Sequence, residues 1–119
     1  MSRRLDQLSE EVREEVARII GRELSDPRIG FVTVTRVDLA PDLKHARVYV
    51  GVLGDKAQHE KTLLGLKQAS GFVRQKLGQR LRLRHIPMIE FQYDKGLDAT
   101  DRVARLLEEI SQDSDPERT

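Results

Sequence analysis

The sequence predicts an α+β domain, in which a three-stranded sheet carries helices on one face and the element order is αββααβ with a further helix at the C-terminal end. Three observations predict it. One apolar stripe runs at helical spacing near the start, three short segments alternate or are β-branched, and a long helical region is interrupted in its middle. The 119 residues fit one domain, expected over 1–110 with a polar tail over 111–119.

Leu5, Leu8, Val12, Val16, Ile19, Ile20 and Leu24 recur mostly at steps of three and four, so one face of a first helix is apolar. Asp26-Pro27 ends it, because proline disfavours helix at the residue before it. Phe31 to Val37 is β-branched and short, and reads as a strand. After the turn signal Ala40-Pro41-Asp42, Lys44 to Leu53 alternates, with Ala46, Val48, Val50 and Val52 on one face. The short connection makes an antiparallel pair of these two strands.

Gln58 to Leu81 is the long helical region, with Leu63, Leu64, Leu66, Phe72, Val73 and Leu77 as its apolar side. Gly71 costs about 1 kcal/mol against alanine in a helix interior, so two shorter helices are expected to meet at Ser70-Gly71. Met88 to Tyr93 is a third strand, with Ile89, Phe91 and Tyr93 on one face. Val103, Leu106, Leu107 and Ile110 mark a last helix, with Asp98 or Thr100 as N-cap.

The chain contains no cysteine, which excludes a disulfide scaffold, a thiolate metal site and a cysteine nucleophile. It has no run of 18 apolar residues and no apolar leader after Met1, so the expected location is the cytoplasm. No cofactor or metal is called for. Asp55 and His59 lie four apart without further ligands nearby. Ser70 has no base partner in view, and turn chemistry accounts for Asp38 and Asp42 around His45.

Net charge is only +1, but its distribution is uneven. Between residues 61 and 89 stand Lys61, Lys67, Arg74, Lys76, Arg80, Arg82 and Arg84, with no aspartate or glutamate. All 20 acidic residues lie elsewhere. Concentrated positive charge of this kind suits a polyanionic partner, although a solvated helix face is the plainer alternative. Arg47, with His45 and Tyr49 on the second face of its strand, is a candidate for stacking on bases. Arg3 and Arg4 are candidates for a flexible cationic end. Residues 98–119 hold seven acidic and three basic residues, a segment able to screen the basic surface or touch a protein.

Several short blocks go beyond this pattern. They are Asp26-Pro27-Arg28, Thr33-Val34-Thr35, Asp42-Leu43 with Ala46 to Val50, Ala69-Ser70-Gly71-Phe72-Val73-Arg74, Leu81-Arg82-Leu83-Arg84 with Pro87, and Phe91 with Tyr93-Asp94. In this series the chain resembles the ribosome-binding factor A family over roughly residues 5–110. The resemblance implies a type II KH-like RNA-binding fold whose Ala69-Ser70-Gly71 kink replaces the GxxG loop of ordinary KH domains. The string Gly51-Val52-Leu53-Gly54 is read instead as a strand exit.

The resemblance further implies a monomeric, non-catalytic assembly factor. It would bind the immature small ribosomal subunit through 16S rRNA, with ribosomal proteins or other assembly factors as further partners. Late maturation, including 5′-end processing, and growth in the cold are where such factors act. The residues expected to contact RNA are Lys67, Ser70, Gly71, Arg74, Lys76, Arg80, Arg82, Arg84 and Arg47. A protein-interaction adaptor that has lost RNA contact and a small RNA-directed enzyme are the competing readings.

Overall fold

A computed structural model describes residues 3–95. The expected last helix, its caps and the polar tail lie outside the described residues.

Helix α1 (Arg3–Arg22) buries Val12, Val16, Ile19 and Ile20, the central part of the apolar stripe. It includes Arg3 and Arg4, which therefore form its first turn rather than a flexible end. Strand β1 (Val32–Leu39) and strand β2 (His45–Val52) form the expected antiparallel hairpin. Its turn uses Leu43 in the left-handed region (φ 63°), and the Asp42 carboxylate accepts from Lys44 N at 2.9 Å.

Helix α2 (Lys56–Gln68) begins two residues earlier than the apolar pattern suggests, because the Asp55 carboxylate caps it by accepting from Gln58 N at 2.8 Å. Helix α3 (Ser70–Leu81) follows after one residue, and strand β3 (Met88–Tyr93) ends the described fold.

β2 lies at the centre of the sheet, antiparallel to β1 and parallel to β3. A parallel neighbour requires a crossover, and the α2–α3 pair is that crossover. The inward rows are Leu39, Ala46 and Ile89; Val37, Val48 and Phe91; and Val34, Val50 and Tyr93. All but the partly buried Tyr93 belong to the buried core, together with Leu66, Val73 and Leu77 from the two crossover helices.

Strict alternation over β1 would have turned Arg36 inward. A bulge between Val34 and Arg36 absorbs one residue and keeps both Val34 and Val37 on the core side. The extra residue, Thr35, is held by hydrogen bonds from its hydroxyl toward Tyr49 O at 3.2 Å and Asp94 Oδ2 at 2.5 Å. Asp94 also donates its backbone N–H to Val50 O at 2.9 Å, so the end of β3 and the bulge of β1 are tied across β2.

The segment between α1 and β1 packs on α2. Gly30 N donates to the buried Thr62 hydroxyl at 3.1 Å, and Gln58 Nε2 donates to Arg28 O at 3.3 Å. Asp26 braces this segment by accepting from Arg28 N at 2.9 Å and from Arg28 Nη2 at 2.7 Å. These bonds hold the Asp26 carboxyl below the usual carboxylate range.

Two outcomes are expected. Thr35→Val leaves a buried carboxylate short of one donor, and should lower stability by about 1.5–3 kcal/mol in a urea titration. Asp26→Asn should lower stability at neutral pH. Because the folded carboxyl titrates below its unfolded value, wild type loses this advantage as pH falls below about 4. The two melting curves should then converge, and a gap independent of pH would exclude the ion pair as its cause.

Candidate nucleic-acid interface

The bend between the two crossover helices falls at Ala69, whose backbone (φ −88°, ψ 0°) leaves the regular helical track. Ala69 N shares its proton between Gly65 O at 3.0 Å and Leu66 O at 3.1 Å, and Val73 N then donates to Ala69 O at 3.0 Å. The amides of Ser70, Gly71 and Phe72 stand ahead of that first α3 bond, and Ala69 offers no side-chain cap. The Ser70 hydroxyl donates to Lys67 O at 2.8 Å, bracing the corner. Gly71 lies inside α3 rather than at the break. A methyl group there would meet nothing within 4 Å, so no packing in the described fold requires glycine.

Break and helix register decide which apolar residues are covered. Leu66, Val73 and Leu77 are buried, whereas Leu64 is 50% exposed and Phe72 37% exposed. The sequence pattern puts both on the apolar side. Reading one continuous face across two separate helices misplaces them. Phe72 follows the open Gly71, with Lys76 Nζ 5.6 Å from its ring centroid. Phe72 is thus an exposed residue beside the bend that the sequence pattern assigns to the core.

The seven basic residues divide into two sets. Arg80 Nη2 donates to Glu23 Oε1 at 2.6 Å, a bond between α3 and the segment after α1. Arg74 donates from Nη2 to Ile86 O at 2.9 Å and from Nε to Pro87 O at 3.2 Å. Lys61, Lys67, Arg82 and Arg84 are exposed and make no ion pair among the described residues, and Lys76 has only the ring contact. Lys67 precedes the bend, while Arg82 and Arg84 follow the far end of α3. At 1.5 Å per residue, the 12-residue helix separates the two ends by about 18 Å.

Arg82 ends α3 with φ 48° and ψ 44°, a left-handed cap that glycine usually occupies. An arginine there costs about 1–2 kcal/mol relative to a right-handed conformation.

Arg47 sits on the opposite face of the sheet, exposed among the described residues. Its row places it between Asp38 on β1 and Glu90 on β3, with Tyr49 two residues on along the same strand face. Those groups, Tyr49 foremost, raise its already high pKa. In the next row, Arg36 lies 4.1 Å from the Tyr49 ring centroid. Charge on this face is largely compensated internally. Arg47 is therefore not brought together with the cations of α2, α3 and the following turn.

The remaining candidates have structural positions. Asp55 caps α2, and the His59 ring stacks on Tyr93 with centroids 4.8 Å apart. Gly51 lies within β2 and Gly54 takes φ 122° in the turn after it, as a strand exit requires. No helix among the described residues is long and apolar enough to cross a membrane.

A one-sided α+β domain with a bent crossover pair, whose α2, α3 and following segment carry five cations without an ion pair among the described residues, defines a small KH-like fold. Comparison with known proteins then gives its lineage. A family model described as ribosome-binding factor A matches residues 4–107. The ribosome-binding factor A of Natranaerobius thermophilus is 44% identical over 108 residues, covering 91% of this chain and 82% of that protein. That of Desulfitobacterium hafniense is 47% identical over 112 residues, covering 94% of this chain and 90% of that protein.

Among solved structures, the crystal structure of ribosome-binding factor A from Thermus thermophilus matches with a TM-score of 0.67. It shares 29% identity over 75% of this chain and 94% of that one. A homology model of the Thermus thermophilus factor, fitted into the cryo-EM map of a 30S complex, matches with a TM-score of 0.63. It shares 30% identity over 74% of this chain and 92% of that one. The chain belongs to the ribosome-binding factor A family.

Gly71→Ala should raise stability by up to about 1 kcal/mol, since the site is helical and open. A chemical denaturation midpoint lower than wild type would show that Gly71 has a folding role after all.

Proposed function

We propose that this protein is a non-catalytic assembly factor that binds the immature small ribosomal subunit through 16S rRNA. The observation that carries the reading is the set of cations on α2, α3 and the following segment that make no ion pair among the described residues, running from Lys67 at an uncapped helix bend, with its open glycine and exposed phenylalanine, to Arg82 and Arg84 past the far end of α3. Phosphates meet Lys61, Lys67, Lys76, Arg82 and Arg84, backbone approaches Gly71, and a base stacks on Phe72. The family relationship supports the same ligand, because the Thermus thermophilus relative was fitted into a 30S complex.

The mechanism is a shift of populations. A domain that binds one arrangement of partly folded RNA better than another favours that arrangement by its difference in affinity, with no bond made or broken. Late maturation, including 5′-end formation, and a stronger requirement in the cold follow if that arrangement precedes the last processing steps. The factor acts in the cytoplasm as a monomer. The acidic segment 98–119 has its expected roles in charge screening or contact with a ribosomal protein.

Cosedimentation with purified subunits tests the reading. The protein should travel with precursor 30S particles in preference to mature ones, and equal or absent association would reject it. With five phosphate contacts, log K should fall against log salt with a slope of roughly −3.5 to −4.5. Gly71→Ala should weaken this binding several-fold despite its greater stability. Unchanged affinity would remove the helix bend from the contact.

A further inference from the structure

Arg74 and Arg80 are engaged by groups of the fold itself, and so divide the basic segment into ligands and supports. Arg74 grips two successive carbonyls of the connector between α3 and β3, those of Ile86 and Pro87, at 2.9 and 3.2 Å. Pro87 itself is among the fully buried side chains. Ile86 lies against Gly78 so closely that a methyl group at Gly78 would overlap Ile86 Cδ1 and stand 2.9 Å from Cγ1. Met88 N donates to Lys44 O at 2.8 Å and starts the β3 pairing. The connector is thus fixed from behind by a guanidinium fork, a buried proline and an isoleucine seated on a glycine.

What this lock presents is Arg82 to His85. Arg82, Arg84 and His85 are exposed, and Leu83 and Ile86 are half-buried between and after them. Arg82 accepts a left-handed backbone that glycine would adopt without strain.

Resting on the RNA reading above, we infer that the Arg82–His85 turn is a pre-organised cationic clamp for RNA phosphates. Arg74 is its positioning residue, acting through the connector rather than on the ligand. A fork that spans two carbonyls suits arginine, because a lysine ammonium has no fixed pair of donors. Holding the turn before binding removes the ordering cost that a free loop would incur.

The test uses the full chain with purified precursor 30S subunits, at a temperature where circular dichroism shows every variant folded. Arg82→Gly should keep or raise the melting temperature and still weaken binding at least threefold. Arg82→Gly with Arg84→Ala should flatten the salt slope by roughly 1.4–1.8. Arg74→Ala should weaken binding at least fivefold in the wild-type background and have little effect in the Arg82/Arg84 double variant. Arg74→Lys should rescue only part of that loss. Gly78→Ala changes no charge, yet should weaken binding by displacing Ile86, and Ile86→Ala in the same chain should restore it.

Full additivity of Arg74→Ala with the double variant would overturn the inference by making Arg74 a phosphate ligand itself. So would wild-type affinity in a folded Gly78→Ala protein, or in Arg82→Gly. Failure of wild type to bind precursor subunits is the distinct result that removes the RNA reading, and this inference with it.

Discussion

Everything in this fold follows from a sheet with one hydrophobic face. Val34, Val37, Val48, Val50 and Phe91 point the same way across three strands, and only there can apolar side chains be covered. All three described helices therefore share that side. α1 closes over β1, while the α2–α3 pair must start beside the end of β2 and return the chain to lay β3 parallel to it. Two helices joined at a corner cover that path, and the corner exposes Lys67, Gly71 and Phe72 together. The proposed binding surface is thus a by-product of burying the core, placed on the outside of the same elements.

The sequence blocks that mark the family are largely contacts with one another. Thr35 of one block meets Asp94 of another across β2. Arg74 of the helix-bend block holds Pro87 of the connector block. The segment after Asp26 is seated instead on Thr62 and Gln58 of α2, which lie outside those blocks. In this chain those blocks supply much of the joinery that fixes the turns, and fewer of their residues than their charge suggests are left to touch a ligand.

Element order, strand faces and the existence of a helix bend are legible in the sequence because each depends on neighbours within a few residues. Alternation of Ala46, Val48, Val50 and Val52 sets the β2 face without reference to anything distant. The β1 bulge is not legible, since Thr35 is stabilised by an acceptor 59 residues away. Glycine weakens helices and so draws the expected bend to Ser70-Gly71, yet the bend falls at Ala69, and Gly71 continues the second helix. Leu64 and Phe72 escape a single apolar stripe because each helix has its own buried side. In the basic segment, a count of charges cannot separate Arg80 and Arg74 from Arg82 and Arg84. The partners that engage the first two, Glu23 and the Ile86–Pro87 carbonyls, lie 57 and about a dozen residues distant.

The carboxylates flanking Arg47 on the open sheet face have an effect beyond that residue. With Asp38 and Glu90 in the same row as Arg47, this side of the described sheet carries balanced charge, whereas residues 61–89 carry cations without a carboxylate. On the proposed RNA reading, a molecule so divided would be turned by the field of a large polyanion before touching it. Adding charge to the sheet side, even favourable positive charge, would weaken that alignment and slow productive arrival while raising total attraction.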